Sequence, residues 1–554
     1  MILALILLAA IGIILLAERC VERLPFAIAS FCLSAAVLLL AVADFDRAIL
    51  LATLLAAAVT GASIVKYNHS ALKLIVTDLP LLFAGTVPFF IVQYPRAVMA
   101  VLVGSVALAS AAVATLIYGA GPPATLQLRL LLFVLAIAGV VMASRRGGAA
   151  SLLRAKAQRR CFYSTFMASL FDPHTWRQIR GLDMSDIAGD PLPLLAAVPP
   201  RNHACPDIII IQHESIFDPR MVGLPIESTV EGFLAPADSL HGILNVDIFG
   251  GGSWRSEFSV LTGLSSASFG SGAYYLYKHG AGRFHNSLPD SLAALGYKTM
   301  LTSSCRRSFL DYEKFYRSIG IDQRIFTDDF PPPFDVDRFE ATNSDAIFLD
   351  ATLAEHTRNI VADPSPRFLY ALTNFNHGPH ERSLAAPGQF ERERSFAAAS
   401  LPDARYVEYY ARLAETASTW ARLKSELAAK FPERPMLVVH YGDHQPVLAR
   451  HIDQILEMPE DERRAFRTFY AIETLNMPDR VVAGRGADLD IAFLGTVALQ
   501  QAGLPLDPVF ATRASLLEQC RERYFASISE RKRRFHRTLV DLGLIELGPG
   551  AQRG

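Results

Sequence analysis

The chain has 554 residues, 51% of them hydrophobic, and a formal net charge of −1. Because 53 basic and 54 acidic side chains nearly cancel, the net charge indicates no particular partner, and no nucleic-acid partner is expected. The sequence contains neither a Walker lysine motif nor glycines at Rossmann spacing, and its six cysteines lack the paired spacing of a zinc ribbon or a redox motif.

The N-terminal part of the chain is strongly apolar, since residues 1–144 carry only 12 of those charged side chains. Five apolar runs in this part are each close to the ~20 residues that cross a bilayer as a helix. They lie at about 1–17, 25–43, 48–65, 97–118 and 127–144. The first run has no basic segment before it and four more runs follow, so we predict a retained helix and not a signal peptide. Residues 1–144 are thus predicted to form a five-helix transmembrane domain.

Residues 66–95 interrupt this pattern. Lys66, Lys73 and Asp78 stand among apolar side chains, and Pro80 and Pro88 follow them. Lysine can keep its charged end in water while its stem lies along apolar surface, and polar backbone at the membrane surface can be hydrated. The segment is therefore predicted to be interfacial or re-entrant, with a sixth span as the alternative.

Residues 145–203 are predicted to be a linker that is basic at first and then rich in proline. The run 145–160 holds six Arg or Lys side chains and no acid. The positive-inside rule favours the cytoplasm for such a run, whereas five spans with a cytoplasmic N-terminus place the rest of the chain outside. We expect the second arrangement, with the basic run lying on anionic lipid.

Apolar, strand-like runs alternate with helix-like segments from about residue 204 to residue 510. Examples of the runs are 207–212, 296–302, 367–373 and 435–441. This alternation is typical of an α/β layer fold with a central, mostly parallel sheet, and some 300 residues suffice for one large core. Residues 511–554 are predicted to be a helical tail whose charged patch is a solvated helix face.

Three short segments of the 204–510 domain carry side chains suited to chemistry. Glu214 ends the motif I-I-I-I-Q-H-E-S, Asp443 and His444 end M-L-V-V-H-Y-G-D-H, and Ser253 lies in G-G-G-S-W-R-S-E-F. Each feature alone is an ordinary loop or turn. Functional residues of α/β sheets, however, gather at the carboxyl ends of parallel strands, so two strand ends could bring these side chains together.

Two carboxylates and one imidazole suit Mn²⁺, Mg²⁺ or Zn²⁺. A bound metal can lower the pKa of a hydroxyl enough to make it a nucleophile. The pattern therefore indicates a metal-dependent phosphoryl or sulfuryl transferase.

On these motifs the chain resembles the membrane-bound phosphoglycerol and phosphoethanolamine transferases of the alkaline phosphatase/sulfatase superfamily, a group that includes lipoteichoic acid synthase. The resemblance also covers L-G-Y-K-T followed by F-L-D-Y-E-K-F-Y, and N-F-N-H-G-P. It implies that Glu214, Ser253, Asp443 and His444 hold one divalent metal, with Mn²⁺ favoured and Mg²⁺ or Zn²⁺ open. It also implies that Ser253 is the nucleophile and that His377 lies near the substrate phosphate.

The sequence departs from that family in three places. Ser253 stands where the synthase has threonine, which is chemically equivalent. Tyr312 stands at the position of a substrate-binding arginine, so Arg306 or Arg307 of S-S-C-R-R-S is expected to bind the anionic substrate there. These changes leave the transferred group and the acceptor open. The C-x-P-x-R context of a sulfatase is absent, because Cys305-Arg306-Arg307 has no proline.

The resemblance implies a multi-pass protein of the bacterial inner membrane with an extracytoplasmic catalytic domain. Its partners would be the membrane, a phospholipid that donates phosphoglycerol or phosphoethanolamine, and a glycan or lipid acceptor. A membrane-anchored phosphodiesterase or phosphatase, or a sulfatase-like hydrolase, would use the same site. A non-enzymatic protein is the third hypothesis, and the intact Glu214, Ser253, Asp443 and His444 disfavour it.

Overall fold

The computed structural model describes residues 11–15, 17–70, 72–79, 91, 94–119, 121, 123–147, 160–201, 205–307, 312–331, 343–385, 388–459, 461, 463–477, 483–520, 524–527 and 529–548. The chain divides into two compact units, Met1–Ile179 and Arg180–Gly554. The boundary between them falls inside the predicted linker, 145–203.

Four long apolar helices dominate the described part of the first unit. They are α1 (Leu24–Val42), α2 (Phe45–Ser70), α3 (Pro95–Tyr118) and α4 (Leu126–Gly147). Their apolar stretches are 20 to 24 residues long, which is sufficient to cross a bilayer. A proline occupies the first turn of both α1 and α3, where the backbone N–H groups have no intrahelical acceptor to lose.

Hydrogen bonds define the two ends of this bundle. At one end, Asp44 accepts from the N–H of Gly121 at 2.6 Å, and the Arg47 guanidinium donates to the carbonyl of Gly119 at 2.8 Å. At the other end, the Glu18 carboxylate accepts from the N–H and the hydroxyl of Ser164 at 2.9 and 2.6 Å. The segment before α1 and the segment after α4 therefore lie at the same end.

Four candidate spans are present where five were predicted. α1 to α4 correspond to the second through fifth predicted runs, and most of the first run, 1–17, lies outside the described residues. Much of the predicted interfacial segment, 66–95, is also outside them. Within that segment α2 continues to Ser70, and a 3₁₀ turn spans Val76–Asp78. The Lys66 ammonium donates to the Asp78 carboxylate at 2.6 Å.

Part of the predicted linker is folded with the first unit. It forms α5 (Phe162–Phe171) and α6 (Pro173–Arg180). Phe162, Phe166 and Met167 of α5 are buried in one apolar cluster with side chains of α1 and α2. Burial of this largely apolar face removes nonpolar surface from water, which is why the segment is a packed helix. The basic stretch 148–159 lies outside the described residues.

A nine-stranded sheet forms the centre of the second unit within the described residues. Its strands are β1 (Asp207–His213), β2 (Leu240–Asn245), β3 (Lys298–Ser303), β4 (Gln323–Ile325), β5 (Arg367–Leu372), β6 (Met436–Gly442), β7 (Arg467–Leu475), β8 (Gly484–Arg485) and β9 (Leu489–Asp490). The strand order is β4-β3-β5-β1-β6-β7-β2-β8, and β9 pairs with β2.

The sheet is mixed and mostly parallel. Neighbours from β4 to β6 are all parallel, whereas β7 is antiparallel to both β6 and β2. The predicted parallel centre is thus confirmed, and the antiparallel side is an addition. Every residue of β1 and of β6 is buried, as expected for strands covered on both faces.

Helices surround this sheet in sequence. They are α7 (Ser228–Leu234), α8 (Trp254–Thr262), α9 (Leu276–Gly280), α10 (Leu288–Ala294), α11 (Tyr312–Ser318), α12 (Asp345–Ala362), α13 (Glu391–Ser400), α14 (Ala404–Lys430), α15 (Val447–Ile455), α16 (Leu494–Gln501), α17 (Pro508–Cys520) and α18 (Glu530–Asp541). One buried apolar cluster includes Ile208 of β1, Leu437 of β6, Phe258 of α8, Leu494 of α16 and Phe535 of α18.

The predicted helical tail, 511–554, is instead part of the second unit's core. α17 crosses the predicted boundary at residue 510, and α18 buries Lys532, Phe535 and His536. Asp186 makes this possible, because its carboxylate lies 2.8 Å from the Lys532 ammonium and 2.9 Å from His536 Nδ1. Charged side chains can be buried when an opposite charge pairs with them, so the helix is not a solvated face.

Reporter fusions test the placement of the second unit. We expect alkaline phosphatase fused after residue 203 to be active in bacteria, and green fluorescent protein fused there to be dark. The physical reason is that alkaline phosphatase requires an oxidising compartment for its disulfides. Fusions after residue 121, at the opposite end of the helix bundle, are the matched control and should give the reverse pattern. An interchange of the two patterns would contradict an extracytoplasmic second unit.

Candidate active site

Ser253 is the N-terminal cap of α8 and directly follows three glycines. Gly250, Gly251 and Gly252 have φ values of 73°, 147° and 92°, a region that L side chains rarely adopt. The hydroxyl of Ser253 makes no capping hydrogen bond to its own helix, which is the usual task of a serine at this position. It is therefore available to groups in front of the helix.

Three side chains surround the Ser253 hydroxyl. Its Oγ donates to Glu214 Oε2 at 2.7 Å and lies 3.3 Å from His444 Nε2. His444 Nε2 in turn lies 3.4 Å from Glu214 Oε1 and 3.5 Å from Asp443 Oδ2. Glu214, Asp443 and His444 are buried, and one possible ligand atom from each lies within 4.8 Å of the others. The strand-end pattern thus does bring the predicted side chains together.

The register of β1 and β6 produces this meeting. His213, the last residue of β1, pairs with Gly442, the last residue of β6, so Glu214 and Asp443 follow at the same level. A side chain at Gly442 has no room, because a Cβ there would lie 2.5 Å from the carbonyl oxygen of Ile216. The glycine before Asp443 is therefore required by close backbone approach and not by its φ.

Hydrogen bonds fix the two carboxylates. Asp443 Oδ1 accepts from the N–H groups of Ser215 and His444, both at 2.7 Å. The Ser215 hydroxyl donates to Glu214 Oε1 at 2.6 Å, and the Ser256 hydroxyl donates to the carbonyl of Asp443 at 2.7 Å. Asp443 Oδ2 is buried and has no hydrogen-bond partner among the described residues. A buried carboxylate oxygen without a partner is expected to bind an ion or water.

The electrostatics of the group follow from burial and proximity. Burial, followed by repulsion from Glu214, raises the pKa of Asp443 well above its ordinary value. Burial also acts to raise the pKa of Glu214, but His444 and His377 together outweigh it and lower that pKa. Burial lowers the pKa of His444. The imidazole is thus favoured in its neutral form, which is the form that binds metals.

These residues fit one divalent cation. Glu214, Asp443 and His444 would hold it, with the Ser253 hydroxyl beside them, and the unpartnered Asp443 Oδ2 is a ready ligand atom. Two carboxylates and one imidazole are common to Mn²⁺, Mg²⁺ and Zn²⁺ sites, so the ligand types do not select among these ions.

His377 follows β5 in the loop N-F-N-H-G-P and is half-buried. Its Nδ1 lies 2.6 Å from the carbonyl oxygen of Gly378, and its own carbonyl accepts from Arg412 at 3.0 Å. Its electrostatic effect reaches both Glu214 and His444. A role at the substrate phosphate stays a prediction for this side chain.

The residues predicted to bind the anionic substrate have other neighbours. Arg307 pairs with Asp329 at 2.5 Å and with Glu313 at 3.3 Å. Tyr312 is 2% exposed and packs edge-on against Tyr277, in the interior of the second unit. None of the described contacts joins Arg306, Arg307 or Tyr312 to Ser253, and their part in substrate binding also stays a prediction.

Sequence reasoning missed Ser215 and Ser256 as supports of the site. Ser215 adopts a positive φ of 54°, which turns its N–H toward Asp443 and its hydroxyl toward Glu214. Its position directly after Glu214 was the only available signal. Ser256 lies three residues after Ser253, on the next turn of α8, and helical spacing alone does not show which way it faces.

Comparisons with known proteins agree with this site. A family model described as Sulfatase matches residues 206–468, a range that includes all four residues of the metal and nucleophile group. The capsular polysaccharide biosynthesis protein RkpI of Rhizobium meliloti is 27% identical over 254 residues, or 46% of this chain and 43% of its own. An uncharacterized protein of Haemophilus influenzae is 22% identical over 311 residues, or 55% of each chain. The chain thus spans about half the length of these curated relatives.

Among solved structures, the second unit is similar to the phosphoglycerol transferase GacH of Streptococcus pyogenes, solved with sn-glycerol-1-phosphate. The match has a TM-score of 0.46 and 17% identity, and it covers 63% of this chain and 92% of that one.

Metal analysis of purified variants tests the ligand group. Glu214→Ala, Asp443→Ala and His444→Ala should each lower the affinity for metal by at least about tenfold, because each removes a ligand atom. Elemental analysis after dialysis against a fixed Mn²⁺ or Zn²⁺ concentration measures this loss.

The matched control is Asp218→Asn. Asp218 lies four residues after Glu214, caps a 3₁₀ turn and pairs with Arg220, away from the ligand atoms. This variant should keep its metal. Full occupancy in all three alanine variants would remove Glu214, Asp443 and His444 as the metal site.

Proposed function

Residues 206–468 belong to the sulfatase/alkaline phosphatase superfamily, and on this basis we propose that the chain is a membrane-anchored, metal-dependent transferase of phospholipid headgroups. The headgroup would be phosphoglycerol or phosphoethanolamine, and Ser253 would carry it to an acceptor of the cell envelope. Superfamily membership supports the enzyme class. The transferred group rests on the motifs of the sequence.

One observation carries the proposal. The half-buried Ser253 hydroxyl is released from helix capping and held 2.7 Å from Glu214 Oε2, beside the Asp443 and His444 ligand group. A serine that only shaped a loop would have no reason to face two buried carboxylates. The arrangement is that of a nucleophile whose proton can be removed.

The first step would load Ser253. Its Oγ forms a bond to the phosphorus of the phospholipid, and the bond from phosphorus to the diacylglycerol oxygen breaks. Glu214 orients the hydroxyl through the hydrogen bond from Ser253. A divalent cation bound to Glu214, Asp443 and His444 would lower the pKa of that hydroxyl and offset charge on the phosphoryl oxygens. Diacylglycerol leaves with the proton.

The second step would release the headgroup. An acceptor hydroxyl forms a new bond to phosphorus, the bond between Ser253 Oγ and phosphorus breaks, and Ser253 regains a proton. The half-buried His377 would donate to a phosphoryl oxygen or to the departing oxygen. Its electrostatic effect on Glu214 places its charge within range of that chemistry.

The membrane unit suits this chemistry. Four candidate spans would keep the second unit attached to the bilayer that contains the donor lipid. An outward placement at the inner membrane would put the site beside outer-leaflet phospholipids and envelope glycans. A glycan acceptor is in keeping with the relative from Rhizobium meliloti that is named for capsular polysaccharide biosynthesis.

Substitution of the nucleophile tests the first step. Ser253→Ala should lower turnover of the phospholipid by about 10³-fold or more, because a missing nucleophile cannot be replaced by its neighbours. Metal content should stay unchanged. Ser253→Thr should keep part of the activity, since it retains a hydroxyl.

Thr262→Ala is the matched control. Thr262 lies on the same helix, and its hydroxyl donates to the carbonyl of Phe258 at 2.7 Å, within the helix. This variant should turn over substrate as the wild type does. Normal activity of Ser253→Ala would remove Ser253 from the reaction.

The destination of the headgroup distinguishes transfer from hydrolysis. Purified protein with Mn²⁺ and headgroup-labelled phosphatidylglycerol or phosphatidylethanolamine is incubated with and without an envelope glycan fraction. Label that moves to the glycan or to a second lipid is the expected result. Release of water-soluble headgroup phosphate under all conditions would instead identify a phosphodiesterase.

A further inference from the structure

Glu257 lies one helical turn after Ser253 on α8, and the proposed steps leave it without a task. It is 3% exposed, which is uncommon for a glutamate unless its carboxylate is paired. The inference below rests on the proposed function, because it concerns how the nucleophile of that reaction is held.

The Glu257 carboxylate is an acceptor for three donors. The Tyr277 hydroxyl of α9 donates to Oε2 at 2.7 Å, and the Tyr316 hydroxyl of α11 donates to the same oxygen. The Gln212 side-chain amide of β1 lies 3.5 Å from Oε1. None of the described Lys, Arg or His side chains forms an ion pair with Glu257. Its charge is therefore met by neutral donors alone.

The contacts continue from Gln212 into two further strands. Its Oε1 accepts from the Tyr370 hydroxyl of β5 at 3.2 Å and from the Tyr441 hydroxyl of β6 at 2.5 Å. The two tyrosine hydroxyls also lie 2.5 Å apart. All of these tyrosines are fully buried or nearly so. One hydrogen-bonded network thus joins α8 to three parallel strands.

This network lies directly behind the ligand group. Gln212 is two residues before Glu214 on β1, and Tyr441 is two residues before Asp443 on β6. Residues two apart on a strand point to the same face, so the network is attached to both strands that bear the carboxylate ligands. It connects the helix that begins at Ser253 with the two strand ends that Ser253 faces.

We propose that Glu257 is a positioning residue, whose bonds to Tyr277, Tyr316 and Gln212 hold the first turn of α8 so that Ser253 stays against Glu214. A carboxylate suits this task because it is an acceptor only, and here it faces three donors. Glutamine at this position would direct its own N–H₂ group at a donor. Burial raises the pKa of Glu257 to about 7, a direction expected for a carboxyl without a cationic partner.

The test compares Glu257→Gln with wild type in three measurements. They are kcat and KM for the labelled phospholipid, metal content, and hydrogen–deuterium exchange of the segment 250–258. We expect kcat to fall by about 10- to 100-fold, because a displacement of the nucleophile by about 1 Å is sufficient for such a loss. KM and metal content should change less than about twofold, and the 250–258 amides should exchange faster.

Asp490→Asn is the matched control. Asp490 is a buried carboxyl of the same unit whose pKa burial raises to about 7, and it accepts from the N–H groups of Ala492 and Phe525, outside the network. This variant should keep the kcat and the 250–258 exchange of the wild type. Tyr316→Phe serves as a second variant if Glu257→Gln does not fold, since it removes one donor only, and a smaller loss of kcat is expected.

Two outcomes would overturn the inference. One is a Glu257→Gln enzyme with wild-type kcat and wild-type exchange of the 250–258 segment. The other is an equal loss in Asp490→Asn, which would show a general effect on stability. Absence of turnover in the wild-type protein would instead contradict the proposed function, and the exchange of the 250–258 segment would then decide the positioning of α8 by itself.

Discussion

The second unit depends on the placement of two buried carboxylates at the ends of neighbouring parallel strands. Glu214 and Asp443 follow β1 and β6 at the same level, and repulsion between them contributes to the raised pKa of Asp443. Such a pair requires compensation. The N–H groups of Ser215 and His444, together with the hydroxyl of Ser253, supply part of it. A divalent cation would supply the rest, so the energetic demand of the strands and the chemistry of the nucleophile coincide at one point.

The parts of the site that follow from strand periodicity could be predicted from the sequence. An apolar run that ends in Glu214 and another that ends in Asp443 and His444 suggested parallel strands, and ligands of parallel sheets lie at such ends. The three glycines before Ser253 indicated a turn that other residues disfavour. Both patterns are local, and the fold needed only to bring two strand ends together. The four apolar helices were visible for the same reason, since a hydrophobic stretch of sufficient length is itself a local signal.

The remainder depends on contacts between distant segments, which no local pattern records. The antiparallel strands β7 and β2 carry the same apolar composition as the parallel ones, so their direction was not visible. α18 looked like a solvated tail because its sequence is rich in charge, yet Asp186, more than 300 residues earlier, pairs with Lys532 and His536. The tyrosines around Glu257 also come from separate elements. Ser253 was therefore predictable, whereas the network that holds its helix was not.

Mass spectrometry of the enzyme quenched in acid during turnover tests most directly the central claim that Ser253 carries the transferred group. After digestion of enzyme that was incubated with Mn²⁺ and phosphatidylglycerol or phosphatidylethanolamine, the peptide that contains 250–258 should gain the mass of the headgroup phosphate, located on Ser253. The same gain on Ser256 or Thr262, or sustained turnover with no modified peptide in rapidly quenched samples, would contradict the claim.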